Sequence, residues 1–293
     1  MKQQVIYCQL NKDYAYWTEK RRIGQAKGGH TAGLLTVLED GQVKQNILID
    51  AGLGTLEALA DLCDDDFWDE PLVILITHGH IDHHAELMIL SEIYCKRRGD
   101  YNHDKRPPLE VYCTETTQRH LERTHWYGYN GGETLCPRLI QPDDATQIGN
   151  FIITPLAVDH FEGAVIYIIE FSLARSHKII IGWDMTTLPL DRVEQLQNPS
   201  LALFEGTTFT PMSQDTGHTS IEELVNTGFL ARMRLQYQPE QEKYGAYLLH
   251  YSGWEDPWGT LTDSQLKAKF DGTFPGLANV IHVAERGQRW VFN

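Results

Sequence analysis

The chain has 293 residues, 42% hydrophobic and 10% aromatic, an ordinary balance for a globular protein with ample material for a core. Its formal net charge of −15 argues against extended nucleic-acid binding, which needs a basic face, although bound divalent cations would still admit an anionic substrate. No apolar run approaches the roughly 18 residues of a membrane span and the N-terminus lacks a signal-like segment, so a soluble, cytoplasmic protein without a membrane partner is expected.

In chain order, TAGLLTVLEDGQVKQNILIDAG predicts two strands, over 34–38 and 43–49, around the hairpin signal Asp40-Gly41. LVILIT (72–77) is a short aliphatic run that reads as a strand covered on both faces. AELMILSEIYCKRR has helical spacing, LEVYCT (109–114) reads as a strand, and TTQRHLERTHW as a helix. FIITPLAV, AVIYIIEFSL, KIIIGW and SLALFEG are further strands, the third ending at Asp184 and the last at Glu205. SIEELVNTGFLARM predicts one helix opened by a Ser220–Glu223 capping box, AYLLHYS is a buried strand, and NVIHVAERGQRWVFN a closing hairpin. With no Pro/Ser-rich linker and no short internal repeat, the expectation is a single domain over 1–293 containing two sheets with flanking helices. Cys8, Cys63, Cys95, Cys113 and Cys136 are scattered and odd in number, which fits free, small, buried thiols in a reducing compartment.

The chemistry concentrates in LVILITHGHIDHHAE. A strand ending at Thr77 hands the chain to a loop at the sheet edge. There His78 and His80, two apart, can point the same way and bind one ion. Asp82 and His83 offer an oxygen and a nitrogen to a second. Imidazole with carboxylate suits zinc, manganese or iron rather than calcium.

His-x-His-x-Asp-His directly after an aliphatic strand resembles the metallo-β-lactamase superfamily. VDHF with His160, IIIGWDM with Asp184, and YLLHYSG with His250 stand where that family carries its later motifs. The resemblance spans essentially the whole chain and implies a four-layer αββα sandwich, an α/β (α+β) fold. It further implies a first metal held by His78, His80 and His160, and a second held by Asp82, His83 and His250, with Asp184 shared. Two divalent ions, zinc foremost with manganese or iron as alternatives, would activate a water and clamp the attacking and leaving oxygens. Asp50 of LIDAG resembles the family's early aspartate that braces the metal loop. His84 lies outside the motif and is expected to pack or to face solvent.

LFEGTTF and GHTSIEEL resemble segments of ribonuclease Z and of related phosphodiesterases that open cyclic phosphates. Beside Asp82, His218 is the residue that this resemblance gives a catalytic part. It precedes a helix whose free N–H groups would favour an anion, and it could hydrogen-bond a phosphate oxygen or protonate a leaving alkoxide. Three departures separate the chain from ribonuclease Z itself. His160 and Asp184 are only 24 positions apart, so the tRNA-gripping arm is missing; Glu86-Leu87 replaces Gly-Leu; and Met185 follows Asp184. A small phosphodiester is therefore the expected substrate. The alternatives are an ester, thioester or lactone hydrolase, ribonuclease Z-like processing, or a metal-binding protein without catalysis.

The basic loop 96–108 reads as a solvated loop at the far end of the sheet. HWYGYNGG (125–132) and YSGWEDPWG (251–259) are pocket candidates, and Trp254 or Trp258 could stack on a base, although core packing fits either equally. Oligomeric state is not readable from the chain, though dimers are common in families of this kind, so a homodimer stays open.

Overall fold

The computed structural model describes residues 4–11, 32–63, 65–98, 108–126, 128–129, 134–212, 217–249, 251, 261–285 and 287–293. Strands β1 (Gln4–Asn11), β2 (Ala32–Glu39) and β3 (Gln42–Ile49) form an antiparallel meander. At its second turn Asp40 and Gly41 both take positive φ, 52° and 80°, the geometry that matches strand twist and that Asp-Gly tolerates. Then follow α1 (Thr55–Leu62), β4 (Leu72–Leu75), α2 (Leu87–Arg98), β5 (Leu109–Cys113), α3 (Glu115–Thr124) and β6 (Leu135–Leu139). Strands β3 to β6 are mutually parallel, as helical crossovers require.

Next come the antiparallel strands β7 (Thr146–Ile148), β8 (Phe151–Ala157), β9 (Val165–Ser172) and β10 (Ser176–Gly182). β11 (Leu201–Glu205), α4 (Ile221–Asn226), α5 (Phe229–Arg232) and the small hairpin β12 (Tyr237–Gln238) with β13 (Lys243–Tyr244) follow. β14 (Ala246–Leu249), α6 (Asp263–Thr273), β15 (Ile281–Val283) and β16 (Arg289–Phe292) complete the order.

Two seven-stranded sheets result, ordered β16-β1-β2-β3-β4-β5-β6 and β15-β14-β11-β10-β9-β8-β7. Between them lies a core of Ile47, Ile49, Leu75, Phe151, Tyr167, Ile181, Trp183 and Leu203 with their neighbours. Leu59, Leu87, Leu90, Tyr94 and Leu121 of α1–α3 cover the outer face of the first sheet. Leu224, Phe229, Leu266 and Phe270 of α4–α6 cover the outer face of the second. This is the αββα sandwich that the sequence implied, and each fully buried aliphatic or Phe side chain in it contributes about 1.5–3 kcal/mol.

Three local expectations are corrected. Residues 281–283 and 289–292 do not form a hairpin: β15 joins β14 in the second sheet, while β16 pairs with β1 in the first. Each becomes the edge strand of its sheet, and Ala284, Trp290 and Phe292 between them enter the inter-sheet core. SIEELVNTGFLARM is two short helices rather than one, broken at Gly228 with φ 73°. β6 has no counterpart in the sequence reading because Pro137 interrupts the run; it is an edge strand, where proline costs no ladder bond. Cys95 and Cys113 are buried free thiols, whereas Cys63 and Cys136 are only half-buried. Among the described residues no helix is long and apolar enough to cross a membrane.

The parallel pairings place functional side chains at one end. Ile49 is level with Leu75, Gly182 with Phe204, and Glu205 with Leu249. The segments leaving β3, β4, β10 and β11 therefore emerge together, where open α/β sheets collect their ligand-binding groups.

Candidate metal centre

Three imidazole nitrogens converge just beyond β4 and β8. His80 Nδ1 lies 2.9 Å from His78 Nε2 and 3.1 Å from His160 Nε2. The opposite nitrogens are committed elsewhere. The Thr77 hydroxyl donates to Asp50 Oδ2 at 2.8 Å, so its lone pair accepts from His78 Nδ1–H at 3.0 Å. His160 Nδ1–H donates to the Gly217 carbonyl at 2.5 Å. Both Nε2 atoms therefore carry lone pairs toward His80 Nδ1, which can supply a proton to only one of them. A divalent cation satisfies all three at once, and this donor set fits one.

Beside this corner stand His83 and Asp184. His83 Nε2 is 2.5 Å from Asp184 Oδ2 and 3.6 Å from Asp82 Oδ2, and His78 Nε2 is 3.6 Å from the same Asp184 oxygen. His78, His80 and His160 thus form one group able to hold an ion, and His78, His83 and Asp184 an adjoining one. Burial and the neighbouring imidazoles hold His78 well below its usual range and His80 at about 4. For His83 burial also pulls down, but the charges of Asp184 and Asp50 outweigh it and raise the pKa well above 6.5. The contact between His83 Nε2 and Asp184 Oδ2 lies in a place that suits a metal ion, and the lowering at His78 and His80 favours the neutral imidazoles that ligation needs.

Asp50 organises this arrangement. It is fully buried and accepts from Thr77 N (2.8 Å), His83 Nδ1 (2.7 Å) and Trp183 Nε1 (2.7 Å) as well as from the Thr77 hydroxyl. Trp183 lies on the segment leading to Asp184, so a single carboxylate links the two sheets. Asp50 and Asp184 both have left-handed backbone, φ 60° and 64°, which aspartate tolerates better than most residues. The brace expected of Asp50 is present. Sequence reasoning missed Thr77 and Trp183, although both flank the quoted motifs.

A second buried carboxylate, Glu205 at the end of β11, orients His218. Glu205 Oε2 accepts from His218 Nδ1 at 2.9 Å and from the Thr207 hydroxyl at 3.0 Å, while its other oxygen accepts from Met185 N. His218 Nδ1 is 3.7 Å from Asp184 Oδ1, and its ring centroid is 4.8 Å from that of His160. Asp184, Glu205 and His218 are close enough to hold an ion, but the Glu205 oxygens already accept three hydrogen bonds, so we read them as a carboxylate–histidine pair beside Asp184. The expected anion-binding helix terminus is absent. Ile221 N donates to Thr208 O, Glu222 N to Phe209 O, and Ser220 and Glu223 close the capping box on each other. The N–H groups of residues 220–223, the first donors of α4, are thus spent on the protein.

His84 does not face solvent. It is buried, with Nε2 3.1 Å from Gly79 O and Nδ1 2.8 Å from His125 Nε2, and it supports the loop from behind. Phe161 lies beside the centre, 4.3 Å from the His80 ring and 4.9 Å from that of His120, and was not singled out from sequence. His250, Trp254, Trp258 and most of the basic loop lie outside the described residues.

The family model described as "Beta-lactamase superfamily domain" matches residues 45–235. Among solved structures, the chain is similar to a diphosphatase from the PhnP family, with TM-score 0.68 and 16% identity over 100% of this chain and 98% of that one. It is similar to the metallo-beta-lactamase fold protein YhfI from Bacillus subtilis, with TM-score 0.67 and 15% identity over 99% and 100% of the two chains. Zinc-bound PqqB from Methylobacterium extorquens gives TM-score 0.65 and 13% identity over 97% and 99%. At these identities the likeness is one of fold. Compared by sequence with curated proteins, the chain matches none.

Proposed function

Because the chain belongs to the beta-lactamase superfamily, we propose that it is a metal-dependent hydrolase whose substrate is a small phosphodiester. His78, His80 and His160 would hold one divalent ion, Asp82, His83 and His250 a second, with Asp184 shared; zinc suits the donor set best. When bound, such a pair supplies Lewis acidity and a water activated at neutral pH.

The observation that carries the phosphodiester reading is the Glu205–His218 pair. Glu205 Oε2 accepts from Nδ1–H of His218 at 2.9 Å, which sets the tautomer and orientation of the ring. A buried carboxylate behind an imidazole stabilises its protonated form, so His218 can bind a phosphate oxygen and pass its proton to the departing alkoxide. Hydrolysis of an activated carbonyl has less need of such an acid. One structural relative being a diphosphatase agrees with chemistry at phosphorus, and the acidic chain agrees with a small rather than a polymeric substrate.

The test uses purified protein of known metal content with bis(p-nitrophenyl) phosphate and p-nitrophenyl acetate side by side. Metal-dependent cleavage of the diester is expected. His218→Ala should lower that turnover by about 100-fold or more with metal content intact. Cleavage of the carboxylic ester alone, or full diester turnover in the variant, would remove the reading.

A further inference from the structure

Thr186 lies two residues beyond Asp184, half-buried, and belongs to none of the motifs above. Its hydroxyl donates to the Gly217 carbonyl at 2.9 Å, the same oxygen that accepts from His160 Nδ1 at 2.5 Å. Its backbone N–H donates to Asp159 O, next to His160, at 2.5 Å. We infer that Thr186 is a positioning residue that fixes His160 for metal retention through the peptide carrying His218.

A carbonyl oxygen has two lone pairs, and here each has a donor. The His160 bond places the proton on Nδ1 and leaves Nε2 to face His80. The Thr186 bond holds the same peptide from the other side, so the carbonyl cannot swing away from the imidazole. Gly217 has φ +73°, a conformation that a glycine leaves readily, so the peptide needs an external anchor. The Thr219 hydroxyl, which donates to Met185 O at 2.8 Å, ties down the far side of His218 to the same segment. The residues after Asp184 therefore clamp Gly217-His218-Thr219 at both ends, and the ring of His160 is registered against that clamp. Outer partners of a ligating histidine typically change metal affinity by 10–100-fold when lost.

The experiment titrates metal-free Thr186→Val and Thr186→Ser with Zn2+ against a chromophoric chelator, with thermal unfolding of the same metal-free samples alongside. Valine keeps the shape and removes the donor; serine restores it. At least one Zn2+-binding step should weaken about tenfold or more in the Val variant and return to within about threefold of wild type in the Ser variant. The metal-free unfolding temperatures should coincide. Wild-type affinity in Thr186→Val overturns the inference, and so does an equal loss in both variants or a loss matched by lowered metal-free stability. The readout needs no substrate, so it stands or falls separately from the phosphodiester reading.

Discussion

Replacing Asp50 by asparagine changes one oxygen to an amide and tests the whole frame. The carboxylate accepts Thr77 N–H on Oδ1, and the Thr77 hydroxyl, His83 Nδ1–H and Trp183 Nε1–H on Oδ2, all at 2.7–2.8 Å. Asparagine offers one acceptor oxygen and an NH2 group. With that oxygen facing the three donors, the NH2 confronts the Thr77 N–H; turned round, it confronts all three. The better orientation leaves a buried donor unmet, about 1–3 kcal/mol, and weakens three charge-assisted bonds by about 0.5–1 kcal/mol each. The total is about 2.5–6 kcal/mol of stability, a range that spans the cost of breaking a buried charged pair. His83 also loses the partner that keeps its Nδ1 protonated, so metal affinity should fall about 10–100-fold. Urea unfolding of the metal-free protein and a competition titration with Zn2+ measure the two effects. A variant that folds with wild-type stability and binds zinc within twofold of wild type would refute the assignment of Asp50 as the organising group.

Glu205→Gln keeps the shape of the second carboxylate but not its charge, so diester turnover should drop about tenfold or more with metal content unchanged; an unaltered kcat would mean that Glu205 only packs. The pair behind the loop gives a pH prediction: burial, then the neighbouring His84, pushes His125 down to about 4 from an ordinary 6.5. Since the folded value is the lower one, the unfolded chain takes up the proton first, and the contribution of this group, complete above pH 6.5, is lost as pH falls toward 4. The unfolding free-energy difference between metal-free wild type and His125→Gln should shrink by about 2 kcal/mol from pH 7 to pH 4.5 after allowance for solvent screening, and a difference constant with pH would count against a neutral buried pair.

The histidines were legible because the strand and the loop that carry them are contiguous. LVILIT announces a buried strand, and the sheet then forces His78, His80 and His83 to emerge at its end. His160 and Asp184 were legible only as members of an ordered set, since a single histidine or aspartate after an apolar run says little. What spacing could not show was which nitrogen of each ring faces inward. That depends on Thr77, Asp50 and the Gly217 carbonyl, partners that lie 1, 33 and 57 positions from the rings they orient. The anion site expected ahead of α4 failed for a related reason. A capping box is visible in four residues, but the Thr208 and Phe209 carbonyls that occupy the remaining donors come from a separate segment.

The two sheets are joined at the site by polar contacts as well as by their apolar core. Trp183 reaches Asp50 across the interface, Tyr167 donates to Ile76 O at 2.8 Å, and Val165 N donates to Thr77 O at 3.0 Å. All three second-sheet groups meet the first sheet within the stretch that turns β3 and β4 toward the histidines. A shift of one sheet against the other would therefore break buried hydrogen bonds, each worth about 0.5–1.5 kcal/mol net and more if left unmet. Asp50 and Asp184 hold left-handed backbone at this junction, a cost of roughly 1–2 kcal/mol each that the same contacts offset. Sliding is disfavoured most where the donor atoms must stay within tenths of an ångström, so the inter-sheet core sets the stability of the fold while this small polar seam sets the precision of the centre.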